Sequence, residues 1–354
     1  MNIVVLLDGT WSDANSHTNV AQIHARVPLR AGGEAQEVRY IEGVGTGPFD
    51  RLRGGLLGVG LDDDIREAYG FIAARHHSDD DRIHLIGYSR GAFAARSLAG
   101  MIAKCGIIRE TDLPATAVFA RYRDTKAPGL REMQAGERPA RTDEDRLVLA
   151  RSRLVRIRFI GVFDTVGSLG IPGGIGRLVN RRRYEFHDTR LSGLVDLACH
   201  AVAVDEHRKQ FEPTLWTSVP IPVPHHPTRV EQRWFVGEHA NVGGGGTETP
   251  AVDNPLAVIA REWIVDRAVE AGLAVEPPPV PPTGDEWSGR ISDFHSTLLG
   301  RLSLLVPGNG PYLRPVRTTI GEFLDGSVIR RWRDGRPPYR PRNPYLEAWI
   351  REDR

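Results

Sequence analysis

The sequence predicts an α/β fold, a mostly parallel sheet flanked by helices and carrying cap-like insertions. Three observations predict it. Ile3–Leu7 is apolar without alternation, the pattern of a strand buried on both faces. Segments with helical spacing of apolar residues alternate with strand-like runs along the chain. The stretch Arg82–Ile102 joins both kinds: an apolar run, a turn between two glycines, and a helix-like pattern through Phe93, Ala94, Ala95, Leu98, Ala99 and Ile102.

Taken in order, the first strand ends at Asp8-Gly9-Thr10-Trp11, where a loop begins at the carboxyl end of the sheet, the edge at which open α/β sheets bind ligands. Asn19–Val27 reads as a helix and Val38–Ile41 as a strand. Two glycine-rich stretches follow, Gly43–Gly47 and Gly54–Gly60; neither has phosphate-loop spacing, and both read as loops on the rim of a site. Asp62–Arg75 reads as a helix with acids in its first turn and Ile65, Ala68, Tyr69 and Ile72 on one face. The His76, His77 and Asp79–Asp81 cluster reads as a solvated loop. Residues 109–153 are charged and read as a cap or helical insertion. Leu154–Val162 is a strand running into Phe163-Asp164-Thr165. Gly170–Gly176 with Arg181–Arg183 reads as a loop with a basic tip, Leu191–Val204 as a helix ending in Asp205, and Val230–Val236 as the last clear strand. That strand delivers His239 onto a loop followed by a run of glycines. Asn254-Pro255 opens a helix that stops at Gly272. The catalytic unit is thus expected over 1–275, with a proline-rich linker and a C-terminal extension over 276–354 packing on the same domain.

The turn within Arg82–Ile102 is Gly87-Tyr88-Ser89-Arg90-Gly91, a G-x-S-x-G pentapeptide. On such an elbow the serine is strained and exposed at the sheet edge, and the following helix N-terminus supplies donors for a developing oxyanion. The strand before it and the helix after it are the context that makes the motif informative. An acid and a histidine at later strand ends complete the chain order Ser, Asp, His of an α/β-hydrolase. The candidates are Ser89 as nucleophile, His239 as general base and Asp164 as the acid. Asp205 is the alternative acid, placed second because its segment reads as helical. The oxyanion hole is expected from the backbone N–H of Arg90 and of Gly9 or Thr10. Local sequence leaves a plain turn capped by Asp8 as an equal reading of that first loop. His200 and His207 form no H-E-x-x-H pair with Glu206 and read as structural.

Composition limits the alternatives. A net charge of +1 argues against nucleic acid as the main partner. Two cysteines, Cys105 and Cys199, supply neither a disulfide framework nor a Cys-rich zinc site. No run approaches the roughly 18 apolar residues of a membrane span. The N-terminus lacks the pattern of a signal peptide, so a cytoplasmic location is expected, with signal-independent secretion still open.

Several segments together resemble one family: Leu7–Trp11, Gly43–Thr46, Gly87–Gly100, Phe163–Val166, His200–Glu206 and Gly237–Gly245, in that order, with Ser327-Val328 and Tyr339–Asn343 similar to its usual ending. It is the family of type VI secretion lipase effector catalytic domains, over roughly residues 1–275. The resemblance implies an α/β-hydrolase fold, the triad Ser89, Asp164 and His239, and, in some members, cleavage of phospholipid acyl esters. The chain departs from the pattern at Asn241, where the family usually has Asp, and no large membrane-docking domain is expected within these residues.

The expected function is therefore a serine hydrolase of carboxylic esters, working through an acyl-enzyme and needing no metal or cofactor. Its partner would be a small-molecule or lipid ester, met through transient contact with a membrane surface. Two other classes remain: a non-catalytic binding protein on the same scaffold, and a metal-dependent phosphohydrolase using Asp8, Asp164 and His239.

Overall fold

The computed structural model describes residues 1–9, 12–13, 15–43, 60–166, 191–218, 227–245, 254–292 and 311–353. Among the described residues, eight strands form one sheet in the order β2-β3-β1-β4-β5-β6-β7-β8. They are β1 (Asn2–Leu7), β2 (Arg30–Ala31), β3 (Glu34–Ile41), β4 (Arg82–Tyr88), β5 (Ile157–Phe163), β6 (Val195–Ala203), β7 (Arg229–Phe235) and β8 (Glu322–Leu324). Among the described strands only the short β2–β3 pair is antiparallel; every other neighbour runs parallel. All parallel strands therefore present their carboxyl ends at one edge.

The apolar run Ile3–Leu7 is buried throughout because both faces of the sheet are covered. Ile3, Val5 and Leu7 point to one face, where α2 (Leu61–Arg75) and α3 (Arg90–Cys105) pack. Val4 and Leu6 point to the other, toward α1 (Asn19–His24) and a long helix, Pro255–Glu270. Thr18 caps α1 by accepting the Ala21 N–H, which ends one orphan donor of its first turn. Asn254 precedes the long helix and Pro255 opens it, where a missing N–H costs nothing.

The insertion at 109–153 folds as α4 (Ala115–Arg123), α5 (Leu130–Gln134) and α6 (Asp143–Arg151). Its apolar residues, among them Val118, Phe119, Leu130 and Val148, join the core shared with α2 and α3. Arg121 and Asp145 form a buried ion pair inside it at 2.9 Å, and Tyr122 packs on Gly100 of α3.

Two readings are corrected. Leu191–Val204 is not a helix: Val195–Ala203 is β6, paired in parallel with both β5 and β7. A strand covered on both faces has no alternation, and an alanine-rich one mimics helical composition, so pattern alone misleads. His239 is not on a loop but opens α7 (His239–Gly243), a helix too short to leave a periodic signal. With that helix numbered, Pro255–Glu270 is α8, and the tail adds α9 (Gly326–Asp334) and α10 (Pro344–Glu352).

The C-terminal extension adds the eighth strand. β8 pairs with β7 from Gln232 to Trp234. Val328, Trp332, Leu346, Trp349 and Ile350 pack with Trp234, Val202 and Leu256 in a third apolar cluster. The glycine-rich rim loops expected near 44–59 and the basic loop at 170–183 lie outside the described residues, as does Thr10.

Candidate active site

Ser89 sits between β4 and α3 with φ 55° and ψ −115°, in the left-handed region that an L-residue adopts only under constraint. The constraint is steric. A Cβ on Gly91 would lie 2.2 Å from the Leu7 carbonyl oxygen, and one on Gly87 would lie 2.5 Å from the Gly91 oxygen. Strand and helix can pass at this distance only without side chains. The Ser89 N–H is held by the Phe163 carbonyl at 3.0 Å, which ties the elbow to the end of β5.

Asp164 follows β5 and also has a positive φ, 39°. Two neighbours on β6 support this turn. The Asp164 N–H donates to the Ala201 carbonyl, and the next N–H, of Thr165, donates to His200 Nε2 at 3.0 Å. His200 is fully buried, and burial brings its pKa down to about 3, with Arg96 adding repulsion, so the ring is neutral and can accept that bond.

His239 is delivered by β7 and α7. Its Nδ1 lies 2.6 Å from Asp164 Oδ2 and its Nε2 lies 2.9 Å from Ser89 Oγ. The ring stands between two aromatic neighbours, Tyr88 with centroids 4.9 Å apart and Phe211, edge-on, at 4.8 Å. Its backbone N–H faces Glu206 Oε2 at 3.3 Å, and Glu206 is itself held by Arg208. Tyr88 reaches α7 as well: a Cβ on Gly243 would fall 1.8 Å from a Tyr88 ring carbon. The structure thus brings Ser89, His239 and Asp164 into one hydrogen-bonded series. An ionised carboxylate at Nδ1 selects the tautomer that leaves Nε2 as an acceptor toward the serine.

Asp164 is ionised for a reason the sequence did not disclose. Burial alone would raise its pKa, but the guanidinium of Arg314, together with His239, holds it well below the usual carboxylate range. Arg314 lies in the tail, is 1% exposed, and grips both carboxylate oxygens at 2.6 and 2.9 Å. Nothing in the local sequence marks it, since it is one arginine in an arginine-rich extension.

The remaining expected residues fall as follows. Asp205 does follow a strand, contrary to the helical reading, but its carboxylate accepts the Gly237 N–H at 2.8 Å and the Tyr339 hydroxyl at 2.8 Å, and it has no bond to His239. Burial raises its pKa. Gly9 approaches the elbow, with a Cβ built on it 3.5 Å from Ser89 Cβ, but its N–H is directed at Asp8 Oδ1 at 2.6 Å. Asp8 is the hub of this turn, since Thr18 and Tyr40 also donate to its Oδ2. Arg90 opens α3 directly after the serine, and its N–H belongs to the first turn of that helix. Asn241 accepts from the Ser292 N–H and donates to the Arg290 carbonyl at 3.3 Å, a bond that an Asp could not make. Among the described residues no group of three His, Cys, Asp or Glu side chains is arranged to hold a metal ion. No helix among them is long and apolar enough to cross a membrane.

Comparison with known proteins agrees with the resemblance seen in the sequence. Residues 1–267 match the sequence model of the family described as T6SS phospholipase effector Tle1-like, catalytic domain. A curated relative, the uncharacterized protein YEL023C of Saccharomyces cerevisiae (strain ATCC 204508 / S288c), is 29% identical over 241 residues, which are 62% of this chain and 33% of that protein. The chain therefore spans about a third of the length of the relative it matches. Among solved structures, one of an uncharacterized protein from Pseudomonas aeruginosa aligns with TM-score 0.44 and 18% identity, covering 88% of this chain and 51% of its own. The structure of the Tle1 effector bound to the VgrG spike of the type VI secretion system aligns with TM-score 0.44 and 15% identity, covering 90% and 84%.

Proposed function

This chain belongs to the family of Tle1-like catalytic domains of type VI secretion phospholipase effectors, and from that premise we propose that it is a serine hydrolase of carboxylic esters, with lipid acyl esters as substrates. The observation that carries the reading is the continuous series Ser89 Oγ, His239 Nε2, His239 Nδ1, Asp164 Oδ2, with links of 2.9 and 2.6 Å. In this reading Ser89 Oγ attacks the ester carbonyl carbon while its proton passes to His239 Nε2. The carbonyl oxygen becomes an oxyanion facing the first turn of α3, with the Arg90 N–H as donor. The second donor is expected from the backbone N–H of Gly9 or of Thr10; the Gly9 N–H as it stands is directed at Asp8 Oδ1. Collapse expels the alcohol, which leaves with the proton from His239. A water molecule then attacks the acyl-enzyme by the same route and releases the acid. Asp164 stays ionised throughout and stabilises the imidazolium.

The scaffold-only alternative predicts an inert Ser89. The two readings separate when the protein is labelled with a fluorophosphonate and assayed on p-nitrophenyl esters of graded chain length and on phospholipid vesicles. Labelling lost in Ser89→Ala, with turnover lost and the thermal midpoint kept, is the expected result. Equal turnover in parent and Ser89→Ala would end the reading. The phosphohydrolase alternative requires Asp8 to face a metal with Asp164 and His239, whereas its oxygens are engaged by Gly9, Thr18 and Tyr40.

A further inference from the structure

The guanidinium of Arg314 makes four hydrogen bonds, and their targets lie on three separate parts of the site. Nη1 donates to Asp164 Oδ1 at 2.6 Å and to the Ala203 carbonyl, at the end of β6, at 2.8 Å. Nη2 donates to Asp164 Oδ2 at 2.9 Å and to the carbonyl of Phe211, whose ring abuts His239, at 2.6 Å. Asp164 Oδ2 is the same oxygen that faces His239 Nδ1. The fork thus sets the plane of the carboxylate and aims that oxygen. The backbone around Arg314 is strapped down: the Tyr312 N–H donates to the His207 carbonyl at 2.8 Å, and the Asn343 amide donates to the Arg314 carbonyl at 2.7 Å. Arg314, Tyr312 and Asn343 all lie beyond residue 267, where the match to the family's catalytic domain stops.

We propose that Arg314 is a positioning residue for the triad, so that the C-terminal extension completes the active site by orienting Asp164 toward His239. The proposal rests on the serine-hydrolase reading. A planar fork that meets both oxygens of a carboxylate has a geometry that an ammonium cannot copy. Arg314→Lys keeps the charge and loses the fork. By analogy with partners that orient metal-bound histidines, it is expected to lower kcat by about 10- to 100-fold, with KM nearly unchanged and the protein folded.

The experiment measures kcat, KM and the rate of fluorophosphonate labelling for parent, Arg314→Lys and Arg314→Ala in the full chain, each normalised to folded protein by circular dichroism. In Arg314→Ala, added guanidinium at non-denaturing concentration is expected to restore part of kcat, and sodium at equal ionic strength is not. If Arg314→Ala does not fold, Arg314→Lys decides alone. Arg314→Lys with kcat within about twofold of the parent would overturn the proposal, as would activity losses that vanish once scaled to the folded fraction. Should Ser89→Ala remain active, it is the hydrolase reading that fails, a distinct outcome.

Discussion

Replacing Asp164 by Asn is the sharpest test of how the site is built. The carboxylate receives four donors: the Ala203 N–H at 2.9 Å, Arg314 Nη1 at 2.6 Å and Nη2 at 2.9 Å, and His239 Nδ1 at 2.6 Å. An amide has one acceptor oxygen and an NH2. Turned one way, the NH2 confronts Ala203 and Arg314; turned the other way, it confronts His239 and Arg314. In the second orientation the imidazole can accept only by changing tautomer, which puts a proton on Nε2 and removes the base from Ser89. Either way Arg314, 1% exposed, loses the one carboxylate it is bonded to. Removing one partner of a buried pair costs about 3–5 kcal/mol, a large share of the roughly 5–15 kcal/mol that holds a domain folded. The catalytic loss for such an Asp→Asn change is on the order of 10⁴ in kcat.

Urea unfolding of Asp164→Asn, Arg314→Met and the double variant at pH 7 measures the stability effect. The double variant is expected to be more stable than Asp164→Asn alone, because it buries no unpaired charge. The pH dependence has a definite sign. Asp164 has a depressed folded pKa, so its contribution is fully present above the unfolded value of about 3.9 and is lost only as the pH falls through the much lower folded value. The penalty of Asp164→Asn should therefore be flat from pH 5 to pH 8. A destabilisation under about 1 kcal/mol, or strictly additive single variants, would refute the reasoning.

Other expectations follow from the same geometry. Asp205→Asn should leave kcat within a few-fold of the parent, because its partners are Gly237 and Tyr339 and not His239; a loss matching that of Asp164→Asn would make Asp205 the acid. Gly91→Ala forces a Cβ to 2.2 Å from the Leu7 oxygen, so it should cost about 1–3 kcal/mol or more and slow fluorophosphonate labelling, both readable on one preparation. The Asp64 carboxyl is pushed up to about 7 by burial, with Glu67 and Asp63 adding to the effect and Arg90 opposing it. Its folded pKa is raised, so stability falls as the pH climbs from the unfolded value toward 7. Asp64→Asn is then expected to raise Tm at pH 8 and to lose that advantage by pH 4; a pH-independent difference would contradict it.

What could be read from the residues alone was local. The elbow is a strand, a turn and a helix within Arg82–Cys105, and its glycines, apolar run and helical pattern are neighbours in the chain. The placement of the Asp164 carboxylate and the His239 imidazole just past strand ends is legible, because parallel strands deliver their following residues to one edge. β6 escapes a pattern reading because burial on both faces erases the alternation that marks a strand, so position after a strand does not separate Asp205 from Asp164; their partners do. The partner that settles Asp164 was invisible. Arg314 lies 150 residues away from it, in a tail with no motif of its own. A side chain's local pattern reports which face of its own element is apolar. Which charge ends up against a given carboxylate depends on the order of strands in the sheet and on where the chain returns. Here the return of the tail along β7 brings the Arg314 guanidinium onto both oxygens of the buried Asp164 carboxylate, and that is a property of the folded chain.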